Sequence, residues 1–257
     1  MYRPRIIAVV LVDGTHAVKT VRFKRRIDLG DPVNTVSLFN AFRVDELVLL
    51  DIDATKSRRT IAFSLLADIA SEAKMPFSVG GGIRTLEDIR EVLSLGAEKV
   101  VLSTVAAQRP EFVREAAARF GSSSIIVCMD VKRSFFGSVG VWLASERRQL
   151  RRSPLEFARL MEEMGAGELI VQSVDNDGMM TGYDQPLLSE VSATLNIPVI
   201  ALGGAGRLEH CLDVYAATHV SALASGSLFV FQNSERGVLI NYPSREQLRR
   251  FVNVRAF

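Results

Sequence analysis

The sequence predicts a (β/α)8 TIM barrel built from two repeated half-barrels. Near-continuous apolar runs alternate with amphipathic helical patterns, and the chain repeats itself at about half its length. Runs that are apolar and β-branched throughout signal a sheet covered on both faces, hence a parallel one. Eight occur in order: RIIAVVLV from Arg5, ELVLLDI from Glu46, PFSVG from Pro76, KVVLS from Lys99, SIIVCMD from Ser124, ELIVQS from Glu168, PVIAL from Pro198 and VSALA from Val220. Between them lie helix patterns such as IAFSLLADIASEAK, TLEDIREVLSLG, PEFVREAAARFG and PLEFARLMEEMG. Gly96, Gly121 and Gly165 stand where helix stops belong.

The repeat selects the barrel over an open doubly wound sheet. Glu46 to Asp53 (ELVLLDID) falls on Glu168 to Asp175 (ELIVQSVD) at an offset of 122, and Gly81-Gly82 falls on Gly203-Gly204 at the same offset. RIIAVVLVD from Arg5 falls on SIIVCMDVK from Ser124 at an offset of 119. Two four-unit halves closing on each other make a closed eight-stranded barrel, whereas an open sheet gains nothing from the symmetry. The expected organisation is one domain over 1–257, with half-barrels of about 1–120 and 121–257.

Composition narrows the function. With 257 residues, 48% of them hydrophobic, the chain can bury one large core. Its 31 basic and 29 acidic residues give a net charge of +2 and are interspersed, so electrostatics make no case for a nucleic-acid partner. Cys128 and Cys211 lack disulfide or metal-ligand spacing and read as small buried residues. His16, His210 and His219 form no ligand pattern, so neither a metal nor a cofactor is expected. The opening MYRPRIIAVVLVDG lacks a signal-peptide layout. The stretch 214–234 has no Asp, Glu, Lys or Arg, yet its His219, Gln232 and Asn233 suit a helix end, a strand and a glycine turn better than a membrane span. The expected location is the cytoplasm, away from membranes.

In such a barrel, function gathers at the C-terminal ends of the strands. Gly81-Gly82 follows the third strand and Ser103-Thr104 the fourth. Gly203-Gly204 follows the seventh strand and Gly226-Ser227 the eighth. Glycine lets backbone N–H groups close on an anion, and adjacent hydroxyls add donors. One glycine-rich turn could be a tight connection and nothing more. Two related pairs imply two phosphate sites across one mouth, and so a long ligand with a phosphate at each end. The mouth also carries Asp51, Asp53, Asp130, Asp175 and Asp177. Asp130 ends the run IIVCM at the rim of a buried strand, where a carboxylate suits general acid–base work. The alternative for each is a structural carboxylate that accepts loop N–H groups. At the opposite end, Arg5, Glu46, Lys99 and Glu168 begin strands. They could be a solvated rim, or a salt-bridged ring closing the barrel floor.

The motifs RIIAVVLVDG…VKT, GDPVN, VDELVLLDIDAT, SVGGGIRTLEDI, GAEKVVLST, GAGELIVQSVDNDGMMTGYD and VIALGGAGRLEH, in this order and spacing, resemble the cyclase subunit of imidazole glycerol phosphate synthase, HisF, from Arg5 to about Phe231. The resemblance implies ammonia supplied by a HisH-like glutaminase docked on the floor as a heterodimer, around Arg5, Glu46, Glu98 and Lys99. It also implies an ammonia gate of Arg5, Glu46, Lys99 and Glu168. At the top it implies a bisphosphorylated ligand held by Gly81, Gly82, Thr104, Gly203, Gly204, Gly226 and Ser227, and a catalytic Asp130; Ser103 beside Thr104 joins the phosphate candidates, and Lys19, Asp51, Asp175 and Asp177 are the candidate substrate contacts.

One position departs from the family, which has a second catalytic aspartate on the first strand. The 119-residue offset places it at Leu11, which cannot transfer a proton; Asp13, two residues on, is the candidate to compensate. VKTVRFK near the start and GVLINYPSREQL near the end resemble HisF-like paralogues (WbuZ-type) associated with glycosyl amidation. There, ammonia is expected to serve a separate sugar amidotransferase that forms an acetamidino group on a surface polysaccharide. Histidine-pathway cyclase activity, a non-catalytic bisphosphate-binding activator of a glutaminase, and a HisA-type isomerase are the alternatives. The gate residues and VDNDG fit HisF better than the isomerase.

Overall fold

The computed structural model describes residues 3–134, 137–232 and 237–254. The first half runs β1 (Arg5–Val12), β2 (Ala17–Val21), β3 (Arg25–Gly30), α1 (Pro32–Phe42), β4 (Glu46–Asp51), α2 (Phe63–Glu72), β5 (Phe77–Gly80), α3 (Leu86–Ser94), β6 (Lys99–Leu102), α4 (Thr104–Gln108) and α5 (Glu111–Phe120). The second runs β7 (Ile125–Arg133), β8 (Val139–Leu143), β9 (Arg148–Gln149), α6 (Pro154–Glu163), β10 (Glu168–Ser173), α7 (Gln185–Thr194), β11 (Val199–Leu202), α8 (Leu208–Ala217), β12 (Ala222–Ser225), α9 (Ser227–Val230) and α10 (Arg245–Arg249). Parallel pairing in the order β1-β4-β5-β6-β7-β10-β11-β12, with β12 returning to β1, closes an eight-stranded barrel.

The helices start and stop where local chemistry dictates. Asp31 caps α1, its carboxylate accepting from Asn34 N–H, and Pro32 follows at the first helical position. Thr85 and Ser153 form capping boxes with Asp88 and Glu156. Gly96, Gly121 and Gly165 follow α3, α5 and α6 with φ of 105°, 86° and 92°, a left-handed backbone that turns each chain off its helix.

The two-residue period of a strand sorts every barrel strand into two columns. Along β1, Ile6, Ala8, Val10 and Val12 join the shell under the helices, while Ile7, Val9 and Leu11 join a second apolar cluster inside the barrel. Both faces are dry, which is why the strand sequence is apolar throughout. The same period puts Arg5, Glu46, Lys99 and Glu168 at the base of the lumen-facing columns. Leu11, Leu50, Asp130 and Gln172 stand near their tops.

The strand expectations hold with small shifts: the eighth strand begins at Ala222 instead of Val220, and the fifth runs on to Arg133. That extension pairs with an antiparallel excursion, β8–β9, and β1 carries the corresponding excursion β2–β3. Neither was legible as a strand pair, because segments such as RRIDLG show no apolar pattern and are held by pairing alone. In the stretch 214–234, residues through 232 form the end of α8, then β12 and α9. Residues 233 and 234 lie outside the described residues. Among those described, no helix is long and apolar enough to cross a membrane.

Candidate active site

The four charges at the strand starts ring the floor and are joined in one run of ion pairs, Glu46–Arg5–Glu168–Lys99. Arg5 donates to Glu46 Oε2 and to Glu168 Oε2, both at 2.7 Å, and Lys99 Nζ donates to Glu168 Oε1. Ser78 Oγ reaches Glu46 Oε1 at 3.4 Å. Burial pushes the Glu46 carboxyl above its ordinary range. Burial acts in the same direction on Glu168, but its bonds to Arg5 and Lys99 outweigh it and hold that carboxyl below the usual range. The ring closes the floor, and above it the lumen is walled by Ile7, Val48, Val101, Ile126 and Ile170. Glu98, the fifth residue expected at the floor, is exposed.

Asp130 stands near the top of this apolar column. Burial is the main cause that raises its carboxyl to about 7; the Cys128 thiol, donating from 3.7 Å, opposes the shift, and the charge of Asp177 adds to it. A carboxyl that titrates near neutrality can exchange a proton in either direction at physiological pH. Cys128 and Gln172 line the same cavity. From sequence Cys128 is a small buried residue and Gln172 carries no motif; their even spacing from Asp130 and from Glu168 is the signal that they face the lumen.

The glycine–hydroxyl loops resolve into two cavities. The larger, about 590 Å³, includes Gly81, Gly82, Ser103, Thr104, Asp51, Leu11 and Asp130 in its wall. Gly82 has φ of 68°, and a Cβ there would lie 1.9 Å from the Arg59 carbonyl oxygen, so only glycine lets this loop pack. Asp51 fastens the loop: its carboxylate accepts from the N–H groups of Asp53 and Ala54 and from Arg59. The smaller cavity, about 20 Å³, is lined by Lys19, Asp177, Gly203, Gly204, Gly226 and Ser227, with Leu11 and Gln172 shared between the two. A Cβ on Gly204 would lie 2.0 Å from the Gly182 carbonyl oxygen. Ser227 Oγ is buried and has no hydrogen-bond partner among the described residues. Such an orphan costs about 1–3 kcal/mol, which an anion in the cavity would recover. Lys19 Nζ lies 2.8 Å from Asp177 Oδ1, and Thr20 Oγ1 donates to Asp177 Oδ2 at 2.6 Å.

Two expected site residues stand apart from both cavities. Asp175 accepts the Arg133 N–H at 2.7 Å. Asp13 lies 3.6 Å from Arg26, whose guanidinium also grips Asp53 through two bonds. Neither lines either of these two cavities. Nor does any group of three or more His, Cys, Asp or Glu among the described residues have the placement to hold a metal ion.

The profile of the family described as "Histidine biosynthesis protein" matches residues 5–235. A Pseudomonas aeruginosa protein named provisionally as imidazole glycerol phosphate synthase subunit hisF2 is 42% identical over 248 residues, 96% of this chain and 99% of the relative. The chain belongs to this family as a HisF-like protein. A Vibrio vulnificus relative, named provisionally as subunit hisF3, is 39% identical over 97% of this chain and 96% of its own. A relative from a Hydrogenobaculum species, named imidazole glycerol phosphate synthase subunit HisF, is 38% identical over 90% of this chain and 92% of its own. The HisF-like chain thus spans nearly the whole length of each relative. Its floor ring, apolar lumen and two-cavity mouth all lie within the matched region.

Proposed function

We propose that this HisF-like chain is the synthase subunit of a glutamine amidotransferase. Ammonia released by a HisH-like glutaminase on the floor would pass the Arg5–Glu46–Lys99–Glu168 ring and the lumen. It would then meet a bisphosphorylated ligand laid between the two cavities beside Asp130. The observation that carries this reading is the stacking along one axis: a charged ring, an apolar column and a single proton-exchanging carboxyl. An apolar column admits neutral ammonia and penalises ammonium, whose desolvation is costly.

Leu11 supports a specialised role. Where the family resemblance places a second carboxylate, this lumen has a methyl-terminated side chain. Together with 18–24 and 237–248, that favours ammonia supply for amidation of a sugar acetamido group over imidazole ring closure. The second reading is the histidine-pathway cyclase, which would form imidazole glycerol phosphate and an aminoimidazole carboxamide ribotide. The Asp130 carboxyl at about 7 in the wall of the larger cavity favours it. The deciding experiment gives the purified protein ammonium salt and the bisphosphorylated ribulosyl aminoimidazole carboxamide nucleotide. The expected result is binding with slow turnover; turnover equal to that of a two-aspartate relative would overturn the specialised role.

A further inference from the structure

The two ends of the mouth are related by the repeat but differ in charge and in cavity size. At the 122-residue offset, Lys56 and Arg84 fall on Gly178 and Gly206. Those two glycines close the second-half end by tight packing: a Cβ on Gly178 would lie 2.3 Å from the Thr20 carbonyl oxygen, and one on Gly206 2.3 Å from the Met180 Cβ. The cavity there is about 20 Å³, hardly more than a water needs. The other cavity, about 590 Å³ and room for a ligand of nucleotide size, runs from the first-half end across to Asp130 and Gln172; Lys56, Arg84 and Arg109 line it from the first half and Arg147 from the β8–β9 excursion of the second.

These four cations are not used up by the fold. Arg84 donates to the Arg58 carbonyl, and Arg109 donates to the Arg84 carbonyl and lies over the Phe112 ring. Among the described residues, none of the four forms an ion pair with a carboxylate. The acidic residues in the same wall are already engaged: Asp51 with Arg59 and Asp53 with Arg26, while Asp130 titrates near 7. The wall of this cavity therefore carries four cations outside any ion pair, three from the first half and Arg147 from the second, with Asp53 near Lys56 already bonded to Arg26; a single phosphate monoester brings about −1.5 to −2.

We propose that the first-half end of the mouth takes a diphosphate ester, held by Lys56, Arg84, Arg109 and Arg147 next to the Gly81-Gly82 turn, whereas the second-half end takes at most a single phosphate. The proposal rests on the reading of the mouth as a phosphate-ligand site and adds the class of ligand. Guanidinium groups match the paired oxygens of adjacent phosphates through charge-assisted bonds, which a lone phosphate cannot satisfy at all four positions.

The test is calorimetric titration of the full chain, in metal-free buffer, with inorganic pyrophosphate and with inorganic phosphate. Pyrophosphate is expected to bind about tenfold or more tightly, a difference that one or two additional charge-assisted bonds supply. In the double variant Arg84→Ala/Arg109→Ala the preference should collapse to about twofold or less, with phosphate binding retained. Arg151→Ala, at an exposed arginine outside both cavities, should keep it. Equal binding of the two probes by the native chain, or a preference that survives in the double variant, would overturn the diphosphate assignment. Neither result touches the ammonia route, which is read separately from the floor ring. Failure of both probes to bind would instead overturn the phosphate-ligand reading and the diphosphate with it.

Discussion

Leu11 and Asp130 hold the same place in the two halves of the barrel: Leu11 lies opposite Leu50 in the β1–β4 register, and Asp130 lies opposite Gln172 in the β7–β10 register. Both side chains line the 590 Å³ cavity. The mouth is thus symmetric in backbone and asymmetric in chemistry, with one proton-exchanging group where the repeat offers two positions.

Restoring the pair should restore acid–base catalysis from both sides. With free ammonium and the bisphosphorylated nucleotide, Leu11→Asp is expected to raise turnover toward the contribution of one general acid–base group, about 10²–10⁴-fold. The cost is a second buried carboxylate, seen as a lower unfolding midpoint. A folded variant with unchanged turnover would show that Leu11 does not occupy the missing catalytic position. Asp13→Asn should have little effect, because its carboxylate serves the rim contact with Arg26.

Asp130 should make stability depend on pH. Its folded-state carboxyl titrates at about 7, above the ordinary value of 3.8. A raised folded value means that its contribution is fully present below about pH 4 and is lost as pH rises to about 7. The loss is on the order of 4 kcal/mol for one group. Asp130→Asn removes this titration while abolishing turnover. In urea unfolding, the variant should therefore gain stability relative to the native chain on going from pH 4 to pH 8. Parallel pH profiles for the two proteins would refute the buried-carboxyl account.

Ser227→Ala should act with opposite signs on fold and on ligand. The buried hydroxyl has no hydrogen-bond partner among the described residues, so its removal should leave stability unchanged or raise it by about 1 kcal/mol. Phosphate binding at the second-half end should weaken by roughly tenfold, the worth of one charge-assisted bond. Calorimetry and thermal melts on the same preparation separate the two effects. Destabilisation with unaltered phosphate affinity would remove Ser227 from the anion site.

The floor ring should matter only to ammonia that arrives from below. Lys99→Glu places a third carboxylate beside Glu168 and leaves Arg5 as the ring's one cation. With a HisH-like glutaminase and glutamine, product formation should fall by about tenfold or more, an effect of the size that close charge pairs produce. With ammonium salt added at the top it should be unchanged. Equal loss from both ammonia sources would make Lys99 a fold residue and not a gate.

The barrel could be read from sequence because its strands are buried on both faces and therefore apolar along most of their length, and because the half-repeat survives in register-bearing segments such as ELVLLDID and ELIVQSVD. The glycine loops could be read for a similar reason. The close approaches at Gly82 and Gly204 admit no Cβ, so the constraint is written directly in residue type. The ring of Arg5, Glu46, Lys99 and Glu168 was legible as four charges, and two-residue periodicity then carries it to the lumen. Tertiary structure decided what no local pattern holds. The partners of a carboxylate come from distant elements, so only the closed barrel showed Asp51 fastening a loop, Asp175 capping Arg133 and Asp13 meeting Arg26 at the rim. Burial is likewise a property of the whole packed shell, and it lifts Asp130 to about 7 while leaving the rim acids ion-paired. The excursions β2–β3 and β8–β9 exist through pairing alone. The unequal cavities follow from packing across the mouth, where glycines close one end and unpaired cations line the other.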